Sequence, residues 1–161
     1  MTQADIFKNK VLSDPGRGFA IGECLPEEPG KMGGVLVFNL EAKPRMSDTF
    51  IVSGLIESLG KKPSRSNELR ARQLKHLFSL AYQEHRHMVI VIRDSHLLPP
   101  KTIKKLKGLR ENQDGQHPGI VLLGDMTRLA RKINKLPEIS QRASIITASG
   151  RLEPWPSIIK L

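Results

Sequence analysis

Polar side chains that could do chemistry follow the apolar runs of this 161-residue sequence. Asp94 stands in the group Arg93-Asp94-Ser95-His96, directly after the run 88–92, and Asp125 follows the run 119–124. A carboxylate at such a position can hold a divalent cation or orient a water molecule. Asp125 can instead act as the N-cap of a following helix, and Asp94 can be an exposed acid paired with Arg93. Both interpretations of each residue stay open at this point.

Basic residues form a second chemical feature, because residues 61–161 hold 20 Lys/Arg against 8 Asp/Glu, whereas residues 1–60 hold 6 against 8. Such asymmetry indicates a polyanion partner, of which nucleic acid is the commonest. Solvated cations on the outer faces of helices are the alternative. The candidate phosphate-binding groups are Arg70, Arg72 and Lys75, then Lys101, Lys104 and Lys105, and then Arg128, Arg131 and Lys132.

Composition excludes several classes of protein. One cysteine, Cys24, rules out a disulfide framework and a Cys-rich zinc site. An aromatic share of 4% argues against a base-stacking platform for single strands. The sequence has neither an apolar run of membrane-spanning length nor the pattern of a signal peptide at its start, so a cytoplasmic protein without membrane contact is expected.

The elements that must position these residues alternate between strands and helices. The runs 35–38, 88–92, 119–124 and 143–148 read as strands, and their continuous apolar character is typical of strands covered on both faces. Amphipathic or capped segments between them predict helices over 48–59, 67–85, from Pro99-Pro100 onward, and over 126–134. The sequence therefore predicts an α/β parallel sheet with helices on both faces. Ligands of such sheets bind at the carboxyl ends of the strands, which here carry Asn39, Asp94, Asp125 and Thr147.

The order of these segments resembles the AAA+ ATPases of the ExeA type, which include the transposition-targeting ATPases of Mu-like phages and related transposons. The segment 89–98 is similar to their Walker B region, 119–125 to the sensor-1 strand, and 136–142 to the segment that ends in a conserved arginine. The resemblance implies a three-layer, P-loop NTPase-like AAA+ core. It also implies ATP and Mg²⁺ as cofactors, Asp94 as catalytic and metal-binding residue, and Asp125 and Arg142 as further catalytic residues. A surface arginine without a ligand is the alternative for Arg142.

Two departures from the family pattern concern the same chemistry. The phosphate-loop pattern G-x-x-x-x-G-K-[ST] is missing, since Leu25 stands where its first glycine belongs and Met32 follows Gly30-Lys31. Residues 19–23 look like the strand that enters this loop. After them the chain reads as though the loop and its helix were shortened or absent, with Lys31 as the relic phosphate-binding lysine. At the Walker B position Arg93 replaces the first carboxylate, and a guanidinium cannot ligate Mg²⁺.

These observations favour a degenerate ATPase that binds double-stranded DNA non-specifically and contacts a transposase or homologous ATPase subunits. An active ATPase with an atypical phosphate loop at 29–34 is one alternative. An inactive truncated remnant, with apolar sheet surface exposed by the missing helix, is another. Residues 1–161 are expected to form a single AAA+-like domain without a separate lid or helix-turn-helix domain.

Overall fold

A six-stranded sheet organises the protein, whose computed structural model describes residues 18–25, 35–84, 87–111, 118–147 and 151–156. The strand order is β2-β3-β4-β1-β5-β6. The strands are β1 (Phe19–Gly22), β2 (Val35–Glu41), β3 (His87–Arg93), β4 (Gly119–Leu123), β5 (Ala143–Ile146) and β6 (Leu152–Pro154). All neighbouring strands run parallel except β5 and β6, which pair antiparallel.

Helices connect the parallel strands. They are α1 (Asp48–Ser58), α2 (Asn67–Glu84), α3 (Pro100–Glu111), α4 (Met126–Asn134) and α5 (Pro137–Ser140), and a 3₁₀ turn spans Ser95–Leu97. Helix α1 begins after Ser47 and is followed by Gly60 at a φ of 78°, a left-handed conformation that glycine adopts without strain. Helix α3 begins at the second proline of Pro99-Pro100, as the sequence predicts.

Most of the apolar core lies on one face of the sheet. Every helix contributes buried residues to this cluster, for example Leu55 from α1, Phe78 from α2, Ile103 from α3 and Ile133 from α4, and they pack with alternate strand residues. Alternation along a strand places the remaining apolar side chains on the opposite face. The helices therefore fix the sheet from this first face.

A second apolar cluster lies on the other face of the sheet. It contains Ala20, Val89, Val91, Val121, Leu123, Ile146 and Leu152, with Leu25 and Val37 packed against them. In the parts of the chain that the structure describes, this cluster includes no helical residue. Its members are nevertheless at most 6% exposed to solvent. The expectation that a missing helix leaves apolar sheet surface exposed is therefore wrong for these residues.

The predicted α/β parallel sheet is confirmed, with two differences next to β5. The strand predicted over 143–148 ends at Ile146, and β6 follows it as an antiparallel edge strand that the sequence analysis did not predict. Helices on both faces were expected, whereas in the described ranges the helices contribute buried residues to the first face only. None of the helices in the described ranges is long and apolar enough to cross a membrane.

Candidate functional site

The carboxyl ends of β3 and β4 form the candidate site. The two strands are neighbours, with Ile92 opposite Leu122, so Asp94 and Asp125 leave the sheet at the same edge, as the parallel topology predicts. Asp94 is exposed and has a φ of 55°, a left-handed conformation that Asp adopts more readily than most residues. The buried Ser95 hydroxyl donates a hydrogen bond of 2.6 Å to the Ile92 carbonyl and fixes the turn that follows.

His96 joins the two strand ends. Its Nδ1 accepts a hydrogen bond of 3.0 Å from the backbone N–H of Asp125. Nδ1 therefore carries no proton in this arrangement, and the neutral ring holds its proton on Nε2. The ring lies against Gly124, where an added Cβ would stand 2.6 Å from Nδ1. The histidine thus joins the turn after β3 to the start of α4.

Lys132 strengthens the same junction from α4. Its Nζ donates to the Leu98 carbonyl at 2.7 Å and also to the His96 carbonyl. Partial burial lowers the pKa of Lys132 from its usual value, and the nearby charge of Arg128 lowers this pKa further. Lys132, a candidate for DNA contact, is thus occupied in holding the turn after β3.

Asp125 caps helix α4. Its carboxylate accepts a hydrogen bond of 3.3 Å from the backbone N–H of Arg128, three residues along the chain, and its own backbone is extended. This is the geometry of an N-cap residue. The structure therefore gives Asp125 a capping role, and any action on a ligand would come from the same exposed carboxylate.

The described residues do not form a ready site for a divalent cation. No group of three His, Cys, Asp or Glu side chains suited to a metal ion occurs among them. At the β3 end, Asp94 stands beside the exposed cation Arg93, which opposes a metal ion at short range. Mg²⁺ is usually held by one or two carboxylates together with phosphates, but here Arg93 adjoins Asp94 and the Asp125 carboxylate caps α4, so these residues do not suit a resident Mg²⁺ ion. Lys31 lies outside the described residues.

Arg142 lies at the amino ends of the parallel strands, opposite to the candidate site. It precedes β5, which is parallel to β1, and its carbonyl accepts a hydrogen bond of 3.4 Å from the N–H of Phe19 at the start of β1. Asp94 and Asp125 follow the other ends of their strands. Within one chain, the structure therefore does not bring Arg142 together with the two carboxylates.

Two of the basic groups have partners within the protein. On α2, Arg70 donates to the carbonyls of Ser64 and Arg65 at 2.8 and 2.9 Å and to the Asn67 side chain, and so holds the loop before the helix. Arg72 pairs with Glu68 at 2.8 Å, and Lys75 is exposed.

On α3, Lys104 and Lys105 form ion pairs with other helices. Lys104 pairs with Glu138 at 3.3 Å, and Lys105 pairs with Asp48 at 3.4 Å. The pKa of Glu138 is lowered by its own backbone N–H, which donates a hydrogen bond to the carboxylate, and by the hydrogen bond and charge of Lys104. Lys101, at the start of α3, is exposed.

Helix α4 carries a basic stripe that faces solvent. Arg128 and Arg131 are exposed, and so is Lys135 directly after the helix. The opposite side of the helix is fully buried through Leu129, Ala130 and Ile133. Lys135 is in none of the predicted basic groups, although its spacing of i, i+3 and i+7 with the two arginines places all three on one helical face.

Comparison with known proteins supports the fold. No protein-family model matches the chain, and no curated protein matches it. Among solved structures, the ORC2 protein of Aeropyrum pernix in its ADP form is similar, with a TM-score of 0.60 and 15% identity over 88% of this chain and 45% of that one. The same protein in ADPNP-ADP complexes gives a TM-score of 0.58 and 14% identity over 89% of this chain and 44% of that one. The chain thus has an AAA+ P-loop NTPase-like fold and spans less than half the length of those structures.

Proposed function

We propose that this AAA+-type domain binds double-stranded DNA through its phosphates, without reading the base sequence, and hydrolyses ATP poorly or not at all. The observation that carries the proposal is a contrast between the residues near the carboxyl ends of β3 and β4 and those on the outer side of α4. His96, Lys132 and Asp125 are engaged in hydrogen bonds within the protein, whereas Arg128 and Arg131 of α4 are exposed. The surface thus offers cations to a polyanion, and the edge offers little to a metal-bound nucleotide.

Nucleotide chemistry enters the proposal through the fold. The similar Aeropyrum pernix structures hold ADP and ADPNP, which makes a nucleotide the corresponding ligand class for this chain. ATP with Mg²⁺ is the pair that the family resemblance implies, and Arg93 beside Asp94 opposes the metal of that pair. Asp94 would be the residue nearest a metal, and Arg142 would act only on a nucleotide held by another subunit, because it lies at the amino ends of the strands. We propose that the loss of the first Walker B carboxylate to Arg93 leaves hydrolysis inefficient.

The partners that fit this proposal are a transposase or a homologous ATPase subunit. The resemblance of the Walker B-like and sensor-like segments to transposition-targeting ATPases supports it. A domain that binds DNA without sequence preference can deliver such a partner to many sites. Co-purification of the chain with its partner on DNA-coated beads, and its loss on nuclease treatment, would be the corresponding observation.

The experiment that tests DNA binding follows the anisotropy of a fluorescent 30-bp duplex as the full chain is added at several salt concentrations. Binding through three to four phosphates predicts a slope of log K against log[salt] of about −3. Duplexes of unrelated sequence should compete equally, since the proposed contacts reach only phosphates. Absence of binding at 50 mM salt, or an affinity that does not change with salt, would contradict the proposed function.

A further inference from the structure

We infer that the phosphate-binding surface is the exposed side of α4, formed by Arg128, Arg131 and Lys135, with Lys101 of α3 beside it. This inference rests on the proposed DNA binding and assigns it to one surface. We call these four residues the α4 basic face. The α4 basic face does not include the predicted group on α2, which is Arg70, Arg72 and Lys75. It does include Lys135, which belongs to none of the predicted groups.

The α4 basic face has the geometry of a phosphate-binding stripe. Positions 128, 131 and 135 follow one side of the helix, and at a rise of 1.5 Å per residue the stripe is roughly 10 Å long, about the rise of three base pairs. The side chains are exposed, and the fully buried Leu129, Ala130 and Ile133 fix the helix to the core from behind. The charges are therefore presented by a rigid element, and a polyphosphate backbone can contact several of them together.

The turn that leads into α3 contacts α4. Lys132 of α4 donates to the Leu98 carbonyl at 2.7 Å, two residues before α3 begins at Pro100. Lys101 follows in the first turn of that helix and is exposed. The charge of Arg128 also reaches Lys132 and contributes to the lowering of its pKa. Several positive charges therefore share one region, where a bound polyanion relieves their mutual repulsion.

The other basic groups are weaker candidates because intramolecular partners already occupy them. Arg70 holds the loop before α2, and Arg72 has Glu68 at 2.8 Å. Lys104 and Lys105 pair with Glu138 and Asp48 at 3.3 and 3.4 Å. Phosphate contact at any of these positions must compete with an existing carboxylate or hydrogen bond.

The surface fits a duplex better than a single strand or a membrane. Within the described ranges the exposed large hydrophobic residues are Phe50, Leu69 and Leu80, which lie on α1 and α2. The α4 basic face thus has no aromatic ring on which a base could stack. Because the apolar side of α4 is fully buried, the helix has nothing to insert into a lipid bilayer.

The test compares two triple variants of the full chain that each remove three exposed positive charges. One is Arg128→Gln/Arg131→Gln/Lys135→Gln, and the matched control is Lys61→Gln/Arg72→Gln/Lys75→Gln at positions away from α4. The α4 variant should bind a 30-bp duplex on the order of tenfold to a hundredfold more weakly at 50 mM salt, with the salt slope reduced by about 3. The control should bind within about threefold of the wild type.

A third variant keeps the charge and changes the side chains. Arg128→Lys/Arg131→Lys/Lys135→Arg should retain wild-type binding within about threefold, since phosphate contact needs charge rather than one shape. Far-ultraviolet circular dichroism and urea unfolding verify that each variant folds, and single Gln substitutions replace the triple variant if it does not.

The outcomes separate this inference from the function on which it rests. If the wild type fails to bind duplex, the proposed function is wrong. If the wild type binds and the two Gln variants are affected equally, or the control more, DNA binding stands and the assignment to the α4 basic face is overturned. If a poly-glutamate peptide of equal charge displaces the duplex as effectively as unlabelled DNA does, the partner is an acidic protein segment and the assignment of DNA is overturned.

Discussion

Gly124 and His96 show how single residues fix the candidate site. The absence of a side chain at Gly124 lets the imidazole approach the end of β4 closely enough for Nδ1 to accept the Asp125 N–H at 3.0 Å. A larger residue at position 124 would push the ring away from this hydrogen bond. The turn after β3 and the start of α4 then lose their direct link, and the hydrogen bonds from Lys132 to the His96 and Leu98 carbonyls must hold it alone.

The substitution Gly124→Ala is therefore expected to lower the free energy of unfolding by roughly 1–3 kcal/mol, the usual range for overpacking. The added Cβ would lie 2.6 Å from His96 Nδ1, closer than packed atoms approach. Urea unfolding followed by circular dichroism measures the change. In a His96→Ala background the same substitution should have a smaller effect, because the ring that clashes is gone.

An equal effect of Gly124→Ala in both backgrounds would contradict the role given to the His96 ring. The clash would then lie with the backbone, where the N atoms of His96 and Ser95 stand 3.1 and 3.2 Å from the added Cβ. That result would assign the steric constraint on residue 124 to the backbone of Ser95 and His96 and not to the imidazole ring.

Helix α4 is the element on which the proposals depend, and its start is set by Asp125. Replacing Asp125 by Ala should destabilise the protein by about 1 kcal/mol, because the Arg128 N–H loses the side-chain acceptor that lies 3.3 Å away. Asp125→Asn preserves an oxygen acceptor and should stay close to the wild type in thermal or urea unfolding. If Asn destabilised as much as Ala, capping would not explain the residue, and its negative charge would need another role.

The strong elements of this fold could be predicted from the sequence, because local signals mark them. Helix α4 spans the predicted residues 126–134, since an N-cap, an apolar stripe and its basic face all agree. The short elements escaped prediction. Helix α5 has four residues and β6 has three, and pairing with β5 rather than any internal pattern defines β6.

The candidate site could be predicted only in part, and the reason is sequence separation. Parallel strand order is enough to place Asp94 and Asp125 at one edge. The contact of His96 with Asp125 joins residues 29 positions apart, and that of Lys132 with His96 joins residues 36 positions apart. Local periodicity does not predict contacts between residues so far apart in the sequence. Lys132 therefore could not be distinguished, from the sequence, from the exposed cations of the same helix.

At the scale of the whole molecule, the fold and the residues at the carboxyl ends of its strands indicate different functions. The sheet order and the likeness to Aeropyrum pernix ORC2 show an AAA+ P-loop NTPase-like architecture. The carboxyl edge of the described strands carries Arg93 beside Asp94 and a capping Asp125. The chain as a whole bears a net charge of +10, concentrated after residue 60. In our proposal, this fold presents exposed cations to DNA.

Because the residues at the strand ends do not suit a metal-bound nucleotide, we expect Mg²⁺ and ATP to leave the thermal stability of the full chain almost unchanged. A ligand that binds the native state alone stabilises it by RT ln(1 + [L]/Kd), which is about 2.7 kcal/mol at a hundredfold excess over Kd. For a protein of this size, that stabilisation corresponds to a rise in Tm of several degrees, roughly 5–10 °C. We expect a rise below about 1 °C at 1 mM nucleotide, measured by differential scanning calorimetry with Mg²⁺ and with the nucleotide-free buffer as reference.

A rise of several degrees would contradict the degenerate site and favour the atypical loop at 29–34. Lys31→Ala should then abolish the rise, because that lysine is the cation such a loop offers to phosphate, and Asp94→Asn should reduce the part that requires Mg²⁺. Duplex DNA supplies the internal control in the same instrument. It should raise the Tm at low salt and lose this effect as salt increases, since a polyanion that binds the native surface stabilises the native state by the same relation. A chain that responds to DNA and not to nucleotide would be an AAA+ fold that no longer depends on ATP.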